Sequence, residues 1–137
     1  MHQVVNVELA DRSYPVLVGA GVRSELAAVL PDDVRRVAII TQANVPWDAD
    51  PGRDHIRLEI PDGEAAKSLS VVENVCRQMA VAGITRADAV VAIGGGVVTD
   101  VAGFVAAVYH RGIRFVSVST TLLGQVDASV GGKTGVN

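Results

Sequence analysis

Short apolar runs and helix-length amphipathic stretches alternate along the chain. Apolar runs at residues 4–9 and 14–18 flank a polar turn and predict a β-hairpin or a meander. Apolar spacing then predicts a helix over residues 22–30, which Pro31 ends. The apolar, largely β-branched run at residues 37–40 is typical of a strand that is buried on both faces of a sheet.

A half-buried strand follows, and after it a helix with signals at both of its ends. Residues 56–60 alternate between apolar and polar positions as a half-buried strand does. Ser70 and Glu73 then match a capping box and predict where the helix begins, and Gly83 predicts its C-terminal end. Cys76 lies on the apolar stripe of this helix, where we interpret it as a small core residue.

The remaining pattern predicts a βαβ unit. A strand at residues 89–93, a glycine triplet, a helix over about residues 98–109 and a strand at residues 115–118 follow in this order. Such a unit places its strands in a parallel sheet, so we expect an α/β fold with flanking helices. We interpret residues 1–137 as one domain that is truncated at its C-terminal end, because no closing element follows the last glycine-rich segment.

Composition excludes several classes of function. No apolar run approaches the roughly 18 residues that a membrane span needs. A net charge of -3 and only 4% aromatic residues argue against a nucleic-acid binder. The chain has a single cysteine and no secretory leader pattern, so we expect a cytoplasmic protein.

The glycine triplet carries the strongest chemical signal. Glycines between a buried strand and a helix let the backbone approach a pyrophosphate, which the N–H groups of the helix N-terminus then bind. A tight turn without a ligand explains the triplet equally well, because the spacing is not G-x-G-x-x-G. Asp100 follows in the first helical turn, either as a cap or as a partner of a nicotinamide or ribose.

The other candidates are polar groups in glycine-containing segments. Asp62, Gly63, Glu64 and Lys67 could hold ribose hydroxyls and a phosphate, although a plain Glu-Lys helix pair is the simpler interpretation. This segment and residues 131–135 hold the only two lysines of the chain, Lys67 and Lys133.

Three more polar residues have two interpretations each. Arg111 either caps the preceding helix, which we favour on the residues alone, or binds an anionic substrate. Asp127 and Lys133 either face a ligand or lie in a surface turn. The histidines His2, His55 and His110 are too scattered to indicate a metal site.

Four ordered segments resemble those of 3-dehydroquinate synthases. They are DGEAAK at residues 62–67, GGGVVTD at 94–100, AGFVAAVYHRG at 102–112 and TTLLGQVDASVGGKTGVN at 120–137. The resemblance covers essentially the whole chain, and four motifs in the family's order are far more specific than any one of them. It implies a Rossmann-like NAD-binding domain, followed in the family by a helical metal-binding domain that is absent from these residues.

The resemblance also implies a reaction, a cofactor set and partners. The family closes the sugar acid phosphate DAHP to 3-dehydroquinate and phosphate in the shikimate pathway, with NAD reduced and reoxidised in each turnover and a divalent metal, zinc or cobalt, polarising an alcohol. A homodimer is implied, with Arg111 reaching the neighbouring subunit's substrate. The metal ligands are implied to lie beyond residue 137, so we expect the 137-residue chain alone to be inactive.

Residue roles follow from the same motifs. The residues implied for NAD are Asp62, Gly63, Glu64, Lys67, Gly95, Gly96, Val97, Asp100, Thr120, Thr121 and Lys133. Those implied for the substrate are Arg111, Asp127 and Lys133. Gln42, Thr99 and Ser119 depart from the family's usual aspartate, glycine and proline, and Gln42 weakens an adenosine-binding role for the loop that follows it.

Three other functions stay open from the sequence. Sister sugar phosphate cyclases of the valiolone or deoxyinosose type share the architecture, and the GGKT segment favours the dehydroquinate branch. A metal-dependent glycerol-type dehydrogenase has a similar glycine and aspartate pattern but lacks the run from TTLL to GGKTG. A non-catalytic NAD-binding module is the third possibility.

Overall fold

A computed structural model describes residues 2–125 and 134–137 of the chain. The strands are β1 Gln3–Val7, β2 Tyr14–Val18, β3 Arg36–Thr41, β4 Asp54–Glu59, β5 Ala89–Gly94 and β6 Arg114–Ser119. The helices are α1 Leu26–Val29, α2 Leu69–Val81 and α3 Gly96–Val108. The predicted α/β class is confirmed.

Strands β3 to β6 form a parallel sheet in the order β4-β3-β5-β6. Strands β1 and β2 form the predicted antiparallel hairpin apart from it. The chain moves outward from β3 to β4 on one side of the sheet, and from β5 to β6 on the other side. The direction of winding therefore changes between β3 and β5, which makes this pair of strands the topological switch point of the sheet.

The central strands are buried on both faces, as their uninterrupted apolar runs predict. On β3, Ala38 and Ile40 pack in a cluster with α2 and α3, whereas Val37 and Ile39 pack on the opposite face. The side chains of β5 alternate between the same two clusters. Each face of these strands packs in its own cluster, so a slip by one residue would move every side chain to the opposite cluster.

Two predicted helices differ from the structure in their first turn. The segment over residues 22–30 is a 3-10 turn, Val22–Glu25, followed by the short α1. Helix α2 is capped by Ser68, whose hydroxyl accepts a hydrogen bond from the Val71 N–H, and not by Ser70. Glu73 pairs with Arg77 one turn later instead of completing a capping box.

The predicted C-terminal end of α2 is confirmed. Gly83 has a positive φ of 80° and follows the last helical turn. The N–H of Gly83 donates to the Ala80 carbonyl, and the N–H of Ile84 donates to the Met79 carbonyl, which is the Schellman arrangement. Cys76 is partly buried against the core, as predicted, and burial raises the pKa of its thiol.

Helix α3 begins earlier than predicted. Its first residue is Gly96, so the glycine triplet supplies the helix start rather than a separate turn. Thr99, one of the departures from the family pattern, is buried inside α3 and donates its hydroxyl hydrogen bond to the Gly96 carbonyl at 3.1 Å. No helix in the described part of the chain is long and apolar enough to cross a membrane.

Candidate functional site

The switch point between β3 and β5 marks where a ligand crevice is expected. In open parallel sheets, ligands bind outside the carboxyl ends of the two strands at which the winding changes direction. The ends of β3 and β5 are tied together here by the buried Thr41 hydroxyl, which donates to the Ile93 carbonyl at 2.7 Å. The segments that follow β4 and β5 build the walls of the cleft beside this point.

The N-terminus of α3 forms one wall of this cleft. Gly95 is its N-cap residue, and no described side chain caps it. The N–H of Thr99 makes the first helical hydrogen bond, to the Gly95 carbonyl at 3.0 Å. The N–H groups of Gly96 and Val97 thus lie ahead of the intrahelical ladder, at the positive end of a 13-residue helix.

Close packing explains why glycine occupies position 95. A Cβ atom added to Gly95 would lie 2.8 Å from the Thr121 methyl carbon, which is closer than real Cβ atoms approach a neighbour. Thr120 continues the contact, because its N–H donates to the Gly94 carbonyl at 3.0 Å. The Thr120–Thr121 pair therefore lies directly against the glycine segment, as the sequence motifs imply.

Lys67 brings a positive charge into the cleft. Its ammonium nitrogen lies 2.8 Å from Asp100 Oδ2 and 3.5 Å from Glu64 Oε2. The Lys67 side chain is only 18% exposed. The hydrogen bond to Asp100, followed by the charges of Asp100 and Glu64, raises the pKa of Lys67 and keeps it cationic.

Asp100 does not cap α3, contrary to one of its two interpretations. Because α3 begins at Gly96, Asp100 lies past the first turn, where its carboxylate meets Lys67 instead of free N–H groups. The Glu64–Lys67 pair at i,i+3 exists as the simpler interpretation predicts, but Asp100 is the nearer partner. Lys67 consequently joins the turn after β4 to α3.

Gly63 shapes the turn that presents Glu64 and Lys67. Its φ of 76° and ψ of -179° belong to a backbone region that is almost restricted to glycine. A Cβ at Gly63 would meet no atom within 4 Å, so conformation rather than space requires glycine. Asp62 beside it is exposed and bonds to no described residue, which leaves its carboxylate free for a ligand.

The cleft between these segments has a volume of about 470 Å³. It brings together five of the predicted cofactor residues, namely Glu64, Lys67, Gly96, Val97 and Asp100. The sequence motifs assigned no cofactor role to the other residues that line it, which are Leu123, Thr134, Gly135, Val136 and Asn137. The last four lie in the GGKTGVN motif, but only its lysine carried a predicted role.

Arg111 lies at the opposite end of α3, on the order of 20 Å from the cleft by the length of the helix. It is exposed, has a positive φ of 66° and donates no hydrogen bond to the described residues. The favoured capping role for Arg111 is therefore not seen. Asp127 and Lys133 lie outside the described residues, and the described ones include no group of three or more His, Cys, Asp or Glu that could hold a metal ion.

Sequence comparisons match this chain to proteins of known type. The family model for the 3-dehydroquinate synthase N-terminal region matches residues 57–137. A 3-dehydroquinate synthase of Mycolicibacterium vanbaalenii is 47% identical over 100% of this chain and 40% of its own length. A candidate aminodehydroquinate synthase of Amycolatopsis mediterranei is 48% identical over 100% of this chain and 39% of its own length.

A solved structure extends the comparison to three dimensions. A 2-deoxy-scyllo-inosose synthase complexed with carbaglucose-6-phosphate, NAD+ and Co2+ superposes with a TM-score of 0.88 and 28% identity, over 98% of this chain and 40% of that one. The chain thus spans about 40% of the length of the relatives that it matches. On the family model and the identity of these relatives, the chain belongs to the 3-dehydroquinate synthase family.

Proposed function

We propose that residues 1–137 are the NAD-binding part of a 3-dehydroquinate synthase, a carbon-oxygen lyase that converts DAHP to 3-dehydroquinate and phosphate. The observation that carries the proposal is the cleft in which Lys67 and the uncapped N-terminus of α3 meet beside the switch point. The 47% identity to a named 3-dehydroquinate synthase supports this choice of reaction.

The cleft fits a dinucleotide pyrophosphate. An uncapped helix N-terminus offers N–H donors and a partial positive charge of about half an elementary charge. In this proposal, the N–H groups of Gly96 and Val97 donate to the pyrophosphate, with Gly95 allowing the approach. Lys67 has three N–H donors, of which Asp100 and Glu64 engage two, so a third remains for a phosphate oxygen.

Carboxylates on the turn after β4 suit the ribose. Asp62 and Glu64 present acceptors for sugar hydroxyls, and Gly63 sets the conformation that exposes both. Thr120 and Thr121 complete the cofactor site beside the glycines, and Asp100 holds Lys67 as well as facing the cofactor. When bound, NAD supplies a hydride acceptor that is regenerated within the turnover.

Substrate binding is assigned to three residues away from this wall. Arg111 suits an anionic substrate because its guanidinium is exposed and unpaired among the described residues, and in a homodimer it would serve the neighbouring subunit's site. Asp127 and Lys133 are proposed to contact DAHP, with Lys133 also reaching the cofactor. The divalent metal, zinc or cobalt, is assigned to ligands outside residues 1–137, and the protein to the cytoplasm.

A sister cyclase is the second candidate. It is favoured by the 48% identity to the candidate aminodehydroquinate synthase and by the TM-score of 0.88 to 2-deoxy-scyllo-inosose synthase. These relatives are named for different products, so a shared NAD cleft does not choose among sugar phosphates. The choice depends on the substrate residues, of which Asp127 and Lys133 lie outside the described structure.

The test is phosphate release by the complete natural polypeptide that carries this sequence, supplied with DAHP, NAD and zinc or cobalt. We expect release of phosphate and formation of 3-dehydroquinate, identified by mass spectrometry, and loss of both in Lys133→Ala. Activity on a different sugar phosphate, with none on DAHP, would assign the protein to a sister cyclase. NAD binding without turnover of any sugar phosphate would support the non-catalytic module.

A further inference from the structure

Residues 134–137 join the two walls of the cleft. The N–H of Gly135 donates to the Asp100 carbonyl of α3 at 3.4 Å. The N–H of Asn137 donates to the Lys67 carbonyl at 2.9 Å, at the end of the turn after β4. Val136 packs against the core between these two contacts. The segment therefore spans from α3 to the turn that carries Lys67.

The side chain of Asn137 makes a second contact with the same turn. Its Nδ2 donates to Glu64 Oε2 at 3.2 Å. That oxygen also lies 3.5 Å from the Lys67 ammonium, which in turn lies 2.8 Å from Asp100. A chain of polar contacts thus runs from Asn137 through Glu64 and Lys67 to Asp100.

We propose that Asn137 is a positioning residue that fixes Glu64, and through it the Lys67 ammonium, for the nucleotide. The inference rests on the proposed NAD binding. It explains why Asn137 makes two hydrogen bonds to one turn, one from its backbone N–H and one from its exposed side chain, which none of the site motifs required. Asn137 itself is not assigned a contact with the cofactor.

Glu64 requires such a restraint. Its side chain is 68% exposed and belongs to a 3-10 turn of only three residues, Glu64–Ala66. An exposed carboxylate at 3.5 Å from a lysine gains little from that contact alone and keeps its rotamer freedom. A second hydrogen bond, from the side-chain amide of Asn137, holds the carboxylate in one orientation before the ligand arrives, because the backbone N–H of Asn137 is itself bonded to the Lys67 carbonyl.

The experiment measures NAD affinity by isothermal titration calorimetry on the complete natural polypeptide. Loss of one hydrogen bond predicts that Asn137→Ala binds NAD about three- to tenfold more weakly. Asn137→Asp keeps the size and the backbone N–H but turns a carboxylate toward Glu64, so we expect a larger loss of affinity than in the alanine variant. Unchanged affinity in both variants would overturn the inference.

A rescue separates positioning from a structural role. Combining Asn137→Asp with Glu64→Gln exchanges donor and acceptor, and we expect the pair to bind NAD with a smaller loss than the two single losses added together. Additive losses would overturn the inference. So would losses of affinity that only follow a lowered melting temperature.

The proposed function fails separately from this inference. If the unaltered protein shows no heat of NAD binding, the proposed function is overturned, and the inference with it. If the protein binds NAD and neither Asn137→Ala nor Asn137→Asp changes the affinity, only the inference is overturned. Arg114→Ala is the matched control, because it removes an exposed polar contact to Asp33 at the opposite end of the sheet.

Discussion

The two ends of the parallel sheet use their polar groups differently. At the amino end, side chains bond mainly to the protein's own backbone. The buried Asp88 carboxylate accepts from the Arg36 and Thr85 N–H groups at 3.2 and 2.7 Å, and Arg53 donates to the carbonyls of Ala27 and of three other residues. At this end, the polar atoms serve the fold.

At the carboxyl end, the polar groups surround a cleft and are only partly engaged. Lys67 bonds to carboxylates that are themselves open to solvent, and the first N–H groups of α3 have no side-chain cap among the described residues. A cleft built in this way can exchange some of its contacts for those of a ligand. If the cleft binds NAD as proposed, stability and binding are separated along the strand direction, and substitutions at the two ends should have distinct consequences.

The largest expected effect is on stability, at the amino end. Asp88→Ala leaves two backbone N–H groups and the Thr85 hydroxyl without their acceptor at a site that is 4% exposed. We expect a loss of about 3 kcal/mol in the free energy of unfolding, measured by urea denaturation. NAD affinity of the folded variant should not change, and a large loss of affinity without a loss of stability would contradict the separation of the two ends.

The next effect is on binding, at the carboxyl end. Lys67→Met keeps much of the side-chain volume but removes the cation that is proposed to meet the pyrophosphate. We expect NAD to bind about 10- to 30-fold more weakly, with a melting temperature close to that of the unaltered protein. Asp100→Asn, which keeps Lys67, should lose less affinity. Equal NAD affinities of Lys67→Met and the unaltered protein would contradict the proposed role of the carboxyl end in NAD binding.

Tyr109→Phe should change the pH dependence of stability at the amino end. The buried hydroxyl donates to the Ile84 carbonyl at 2.6 Å, so its loss should lower the free energy of unfolding by about 1.5 kcal/mol at pH 7. Burial raises the pKa of Tyr109, so its stabilising effect is complete below about pH 10, the unfolded value, and is lost as the pH rises through the folded value. Urea titrations should show the difference between the two proteins shrinking above pH 10.

The smallest effect is expected at Arg114→Ala. The ion pair with Asp33, at 2.7 Å, is exposed on both sides and contributes little. Arg114 lowers the pKa of Asp33, so any stabilisation is present above the ordinary carboxyl pKa and disappears as the pH falls below it. Melting curves at pH 7 and pH 3 check this sign, and a large loss at pH 7 would contradict it.

Local sequence patterns predicted most of the sheet. The run 89–93 and the glycines after it indicate a buried strand that leads into a helix, because such patterns depend on residues close in the chain. Helix starts were less predictable. Ser68 and Ser70 both suit an N-cap, and only the backbone geometry, which makes Leu69 the first helical residue although it is 65% exposed, selects Ser68.

Local sequence patterns were also insufficient to predict the contacts within the functional site. The motifs named Lys67 and Asp100 individually, but their ion pair depends on how α3 packs beside the turn after β4. The contact of Asn137 with Glu64 likewise joins positions that are far apart in the chain. No periodicity or spacing rule pairs such residues, since tertiary packing alone brings them together.

Hydrogen–deuterium exchange with and without NAD shows whether the nucleotide binds at the start of α3. The uncapped N–H groups of Gly96 and Val97 should exchange rapidly in the free protein and become protected when NAD binds, together with the turn at Glu64–Ala66. Peptides from the amino end, around Thr85 and Asp88, should not change. Protection at the amino end alone, or NAD binding that leaves the start of α3 exchanging as before, would contradict NAD binding in the cleft at the carboxyl end.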